Sequence, residues 1–242
     1  NAQGEKLDAI PTDAGTYEAR LKPSALQALQ KNNPNYSFNT ASGTIKYTIN
    51  QKAVTDTLGG KGNKIYNGQE TSVSDVFNSI TWTPSGLVAG QSLDLSKLSE
   101  TDYAWYTKNA DGTYTEMTGL PTNAGTYYLK LKDSSIAKIQ AANPNYSFAT
   151  GAISGEYTYK INQANATITL TDTSTQTITW TGNPATIKPA NFIPEITTDN
   201  PNEQTIALPS DLQLTASDYE FLQDGKVIST PSEVGTYQVR LS

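Results

Sequence analysis

Apolar and polar positions alternate along Gly15-Thr16-Tyr17-Glu18-Ala19-Arg20-Leu21. Tyr17, Ala19 and Leu21 fall on one face, with Thr16, Glu18 and Arg20 on the other. A period of two predicts a half-buried strand, and Asp13-Ala14-Gly15 before it supplies turn chemistry. The period changes at Pro23. Leu26 and Leu29, at i and i+3, form one apolar stripe. Pro23 suits a first helical turn, and Asn33-Pro34 ends the helix. So short a helix is not stable alone and must lay its stripe on a sheet. Tyr36 and Phe38 anchor the returning loop, and Thr44 to Ile49 alternates Ile45, Tyr47 and Ile49 as a closing strand. The strand–helix–strand connection is long enough for a crossover.

Most of this pattern is written twice. Ile10-Pro11-Thr12-Asp13-Ala14-Gly15-Thr16-Tyr17 returns as Leu120-Pro121-Thr122-Asn123-Ala124-Gly125-Thr126-Tyr127. Asn33-Pro34-Asn35-Tyr36-Ser37-Phe38 returns as Asn143-Pro144-Asn145-Tyr146-Ser147-Phe148, and Ile49-Asn50-Gln51 as Ile161-Asn162-Gln163. In the second helix Asp133 or Ser134 is the expected N-cap, and Ile136 and Ile139 form the stripe. A third start stands at Pro231 to Tyr237, and Gly15, Gly125 and Gly235 are 110 residues apart. Internal self-similarity decides the architecture, and here its period is a whole small domain. The expected parts are 1–51, the C-terminal part of one repeat; 52–163, a complete module; and 164–242, the N-terminal part of a third.

The front of the complete module reads as short strands at Ala53-Val54-Thr55, Lys64-Ile65-Tyr66 and Ile80 to Thr83, with a turn at Asn67-Gly68. Leu98 to Tyr106 leads into a hairpin with Asp111-Gly112 at its turn. The third part repeats the outline: Thr167 to Leu170 opens it, Trp180-Thr181-Gly182 replaces Tyr66-Asn67-Gly68, and Leu214 to Phe221 precedes Asp224-Gly225. The predicted class is α+β: β-rich tandem modules, each a small mixed sheet with one short helix, of β-grasp or ubiquitin-like form. The alternative is an all-β immunoglobulin-like sandwich.

Composition narrows the chemistry. The 242 residues include no Cys, no His and one Met. Disulfides and thiolate chemistry are excluded, as are the commonest general base and metal ligand. Net charge is −6, which argues against nucleic acid and anionic membrane surfaces. The apolar runs are too short to span a bilayer, and both chain ends cut through a repeat, as expected of a piece of a longer protein. Thr-, Asn- and Tyr-rich modules without Cys read as β-rich and extracellular.

The recurring Pro-Thr-(Asp/Asn)-Ala-Gly-Thr-Tyr, the helix, Asn-Pro-Asn-Tyr-Ser-Phe and the strand ending in Asn-Gln together resemble the MBG-type repeats. So does the Tyr66-Asn67-Gly68 turn. Such modules occur in tandem in cell-wall-anchored surface adhesins of lactic-acid bacteria and related Gram-positive organisms. The resemblance covers essentially the whole chain. It implies extracellular display through an anchor outside this sequence, and either adhesion, to mucin or other host glycoproteins, or spacing. It carries over no binding residue.

Each candidate site has a plainer structural reading. Tyr103 to Tyr106 is the densest aromatic patch. Tyr103 and Trp105 match Tyr219 and Phe221 at alternate positions, as a core-facing strand needs. Tyr106, on the other face, is the candidate ligand contact. The glycines at 15, 125 and 235 read as positions whose backbone conformation only Gly tolerates. Asp102, Asp218 and Glu220 lack the spacing of a calcium loop and read as solvated edge charges; no metal or cofactor is expected. Adhesins of this kind can carry Lys–Asn crosslinks beside an acid, but Lys138 and Glu156 read as surface charges.

The favoured function is a non-catalytic repeat region of a surface adhesin, binding mucin or matrix glycoproteins with avidity from tandem copies. The alternative is a stalk holding a distal domain clear of the cell wall. The lone terminal parts would expose apolar strands, so 1–51 and 164–242 are expected to complement each other, within one chain or between neighbours.

Overall fold

The structure, a computed structural model, describes residues 5–170, 177–187, 194–207, 212 and 214–242. Among the described residues the architecture is β-rich, with small sheets and two short α-helices. Contacts divide the chain into two compact units. One comprises Asn1–Gly62, Thr71–Pro121 and Thr126–Tyr159; the other comprises Asn63–Glu70, Thr122–Gly125 and Lys160–Ser242.

The first repeat holds β1 (Gly15–Ala19), α1 (Pro23–Asn32) and β2 (Ile45–Ile49). β1 and β2 are antiparallel neighbours, with Tyr17 opposite Tyr47 and Ala19 opposite Ile45. The expected crossover is therefore corrected. The chain after the helix runs on from 33 to 44 and carries the return past the helix, so β2 comes back against β1.

The middle repeat opens with β3 (Lys52–Ala53), β4 (Thr55–Gly59), β5 (Lys61–Ile65) and β6 (Thr81–Ser85). Next come β7 (Tyr103–Lys108), β8 (Tyr114–Glu116) and β9 (Gly125–Leu131). It closes with α2 (Ile136–Ala142), β10 (Tyr146–Ser147), β11 (Ile153–Gly155) and β12 (Tyr157–Asn162). The largest sheet has the order β5-β12-β9-β7-β8. A second, β11-β4-β6, is mixed: β11 runs parallel to β4, and β6 antiparallel to it. Alternation decides what is buried. Tyr103, Trp105, Tyr127, Leu129, Tyr157 and Tyr159 turn inward, Leu129 completely, and Ile139 of α2 is 1% exposed. Edge-on ring contacts join Phe77 to Tyr103 at 5.8 Å and Trp105 to Tyr159 at 5.9 Å, the geometry that ring quadrupoles favour.

The third repeat supplies β13 (Ala166–Leu170), β14 (Pro194–Thr198) and β15 (Thr205–Ile206), then β16 (Tyr219–Gln223), β17 (Lys226–Ile228) and β18 (Gln238–Leu241). Its sheet order β17-β16-β18 reproduces β8-β7-β9.

The two helices end in the same wiring. Asn33 caps α1 by donating its side-chain amide to the Leu29 carbonyl at 2.9 Å; Asn143 does so to Ile139 at 2.8 Å. Gln30 and Gln140 each donate to the carbonyl of the loop Tyr, 36 and 146, at 2.6 Å. Each also accepts the amide of the Phe two residues on. One polar side chain thus satisfies two backbone groups of the returning loop and ties that loop to the helix. At the other end of α2 the expected N-cap is corrected. Asp133–Ser135 forms a 3₁₀ turn with Lys132 at its N-cap position, and the α-helix starts from Ser135, neither making a side-chain capping bond.

Of the recurring glycines, Gly235 differs from expectation, with no positive φ, while Gly15 stands near-extended at φ 159°. What these two provide is space. A Cβ would stand 3.2 Å from the Tyr17 hydroxyl at Gly15, and 2.9 Å from the Tyr237 hydroxyl at Gly235. Each Tyr folds back over its Gly and donates to the carbonyl four residues earlier, Asp13 at 2.8 Å and Glu233 at 3.2 Å.

Among the described residues, β1 and β2 pair only with each other, and the strands of 164–242 form sheets of their own. Ile45 stays 73% exposed, and Tyr47 59%. In the middle repeat β5 and β7 flank the equivalent pair, and the first repeat's β1–β2 has no such flanks.

Candidate functional site

The outward face of β8-β7-β9 carries the one side chain singled out from sequence, Tyr106. Cross-strand registry sets its neighbours, because directly opposed residues share a face. Tyr106 lies opposite Tyr128 on β9 and Glu116 on β8; Lys108 lies opposite Tyr114, and Ala104 opposite Lys130. The result is a half-buried group of three tyrosines laced with charges. Tyr114 and Tyr128 meet edge to face at 5.3 Å. The Lys130 ammonium stands 3.4 Å over the Tyr114 ring and 5.8 Å from that of Tyr106. Lys108 lies 5.3 Å from the Tyr114 ring and 5.9 Å from that of Tyr128. Each such contact at a wet surface contributes about 0.5–1 kcal/mol.

The hydroxyls are also held. Tyr106 donates to Glu116 at 3.1 Å, and Tyr114 to Glu156 at 2.8 Å. Burial, then the bond to Glu116, raises the Tyr106 pKa; the bond to Glu156 leads the rise at Tyr114. Lys108 is pushed up in turn, first by its contact with the Tyr114 hydroxyl. These shifts reinforce the neutral form of Tyr106 and Tyr114 and the charged form of Lys108. The face thus offers flat apolar rings bordered by cationic donors and carboxylate acceptors, a match for the C–H faces and hydroxyls of a sugar.

Sequence reading found Tyr106 but passed over Tyr114, Tyr128, Lys108 and Lys130. The signal for two of them was legible. If Tyr127, Leu129 and Leu131 face inward, Tyr128 and Lys130 must face out. Tyr114 needed the register across the Asp111-Gly112 turn. The face is also particular to the middle repeat. At the positions of Tyr106 and Tyr128 the third repeat has Leu222 and Gln238, which are opposed to each other in turn. At the position of Tyr128 the first repeat has Glu18. Arg240 of the third repeat pairs with Glu220 at 2.5 Å. Its counterpart Lys130 faces Ala104 across the strands and rests on tyrosine rings instead.

The acidic candidates prove structural. Asp102 is not a solvated edge charge: it is 3% exposed and caps the 3₁₀ turn before β7. Its Oδ2 accepts from the Ser99 amide at 2.7 Å and hydroxyl at 2.9 Å. Oδ1 accepts from the Ser135 hydroxyl at 2.7 Å and pairs with Lys138 at 2.7 Å. Burial opposes the charge, but Lys138, Ser135 and Ser99 together hold this carboxyl well below the usual range. Asp218 repeats the cap with Thr215 at 2.7 and 2.9 Å. Glu220 is held by Arg240. The capping box Ser/Thr-x-x-Asp was therefore legible at both places. Lys138, expected as a surface charge, is half exposed yet committed to Asp102, and Glu156 serves Tyr114.

Among the described residues no three His, Cys, Asp or Glu side chains gather as a metal site. An open concavity lined by Glu195, Thr197, Asn200, Pro201 and Thr205 presents no aromatic ring. No described helix is long and apolar enough to cross a membrane.

Comparison with known proteins gives two findings. The MBG domain family matches residues 1–51, 53–163 and 165–242. A solved structure of a cell surface adhesin from Lactobacillus reuteri is 32% identical over 45% of this chain and 96% of its own, with a TM-score of 0.33. No curated protein matches the chain.

Proposed function

Because the chain belongs to the MBG domain family, we propose that it is a non-catalytic repeat region of a bacterial surface adhesin. On this reading its middle repeat contacts mucin or matrix glycoproteins through the Tyr106–Tyr114–Tyr128 face. One observation carries the contact: Tyr106 sits where the third repeat has Leu222, and Tyr128 where the other repeats have Gln238 and Glu18. The scaffold does not require them there. Half-buried rings braced by Lys108 and Lys130 are preorganised, so a ligand need not order them. The proposed modules are 1–51, 52–163 and 164–242. A β-grasp-like arrangement of the middle one is supported by its mixed β11-β4-β6 sheet and by Ile139 of α2, buried as a helix lying on a sheet requires.

The second reading, a spacer that holds a distal domain from the cell wall, is supported by the short junction between repeats. β2 ends at Ile49 and β3 begins at Lys52. Binding of the intact 242-residue chain to a mucin surface and a glycan array separates the two readings. The adhesin reading expects binding that falls at least about tenfold in Tyr106→Ala and Tyr128→Ala variants, since truncating an interface anchor costs about 2 kcal/mol. Silence on mucin and on every glycan leaves the spacer.

A further inference from the structure

The helix-end wiring accounts for the first Asn of Asn-Pro-Asn-Tyr but not for the second. Asn143 is consumed within its own repeat: it caps α2, donates to the Asp94 carbonyl at 2.9 Å and accepts the Asp94 amide at 2.8 Å. Asn145 points elsewhere. Its Oδ1 accepts the Ala14 amide of the preceding repeat at 2.8 Å, and its Nδ2 donates to Asp13 Oδ1 at 2.8 Å. Two further bonds reach the same spot from the junction: Gln51 donates to the Pro144 carbonyl at 2.9 Å, and Lys52 to the Asn145 carbonyl at 3.0 Å.

We propose that the Asn145 amide is a docking site for the Pro-Thr-Asx-Ala-Gly turn of the preceding repeat, and that this clasp locks successive repeats into a stiff joint. The chemistry fits both copies of the turn. Asn145 needs one backbone N–H, which residue 14 or 124 supplies, and one side-chain oxygen to accept from Nδ2. Asp13 offers a carboxylate oxygen, and Asn123, at the matching position, carries an amide oxygen of the same reach. Asn35, the first repeat's counterpart of Asn145, is exposed and offers the same amide to such a turn from another repeat. A side-chain amide making both bonds fixes orientation as well as distance, which one hydrogen bond or an apolar contact does not. This joint deepens the tandem-array reading and holds whether or not the tyrosine face binds a glycan.

Amide hydrogen exchange on the ¹⁵N-labelled 242-residue chain tests it, with Ala14 as reporter and the Leu129 and Tyr157 amides as folding controls. Asn145→Asp sets two carboxylates against each other; Ala14 should exchange about five- to thirtyfold faster, the equivalent of losing 1–2 kcal/mol. Asp13→Asn added to that variant restores an Asn–carboxylate pair and should restore protection. Asp13→Asn alone, which installs the second turn's residue, should leave protection intact. Asn145→Ala removes both bonds without adding charge, so Asp13→Asn should not rescue it. Ala14 protection unchanged in both Asn145 variants, with the controls protected, overturns the joint. So does failure of the double variant to recover.

Discussion

Lys138 of helix α2 reaches 2.7 Å from Asp102, which caps the turn leading into β7. The pair ties the helix to the sheet's central strands at a carboxylate that is 3% exposed. Removing the ammonium leaves Asp102 with its serine donors but no countercharge. Lys138→Met should therefore lower the stability of the middle repeat by about 1–3 kcal/mol, the penalty range for an incompletely satisfied buried group. Urea denaturation followed by Trp fluorescence reads it. A change within 0.3 kcal/mol would show that the serines alone carry the charge.

Two buried aspartates push the pH dependence in opposite directions. Asp102 titrates lower folded than unfolded, so its contribution is present above the unfolded value of about 4 and is lost as pH falls below it. Asp56 is 1% exposed with Oδ2 unpartnered, and burial raises its pKa despite amide bonds from Thr57 and Thr83. Its contribution is full below about pH 4 and is lost as pH rises through the folded value. At the matching position the third repeat has Ile168, a side chain with no charge to desolvate. Asp56→Asn should flatten the stability profile above about pH 4 and raise stability at pH 7. Thermal melts across that range would refute it by showing the wild-type slope unchanged.

The helix-end clamp should be separable from the core. Gln140→Ala frees the Tyr146 carbonyl and the Phe148 amide together and should cost about 1–2 kcal/mol. Exchange at Phe148 should quicken, with Leu129 still protected. Equal acceleration at both amides would mean that the module opens as one unit and the clamp has no local role.

Ile139 and Leu29 occupy one position of the repeat, at 1% and 40% exposure. Ile139→Ala should cost about 2–5 kcal/mol, as truncation in a packed core does, and Leu29→Ala under about 1 kcal/mol. Comparable losses by chemical denaturation would show that α1 is covered in solution.

That last pair marks the division between what the residues encode and what the fold adds. The stripe at Leu26 and Leu29, the Pro23 start, the Asn33 stop and the alternation of Tyr17 and Ala19 are local properties. Period and capping chemistry act within a few residues, so strands, helices and the 110-residue repeat could be read directly. Tyr106 was separable from Trp105 for the same reason. Burial is not local. Ile139 is buried on a helix that Asp94 and Asp102, from earlier in the middle repeat, hold through Asn143 and Lys138, whereas Leu29 carries the same stripe and stays 40% exposed. Asp102 became a buried, paired carboxylate only once Ser135 and Lys138, over thirty residues on, arrived beside it. The grouping of Tyr114, Tyr128 and Lys130 with Tyr106 likewise waited on strand register. Long-range packing chose which of the encoded faces meet water.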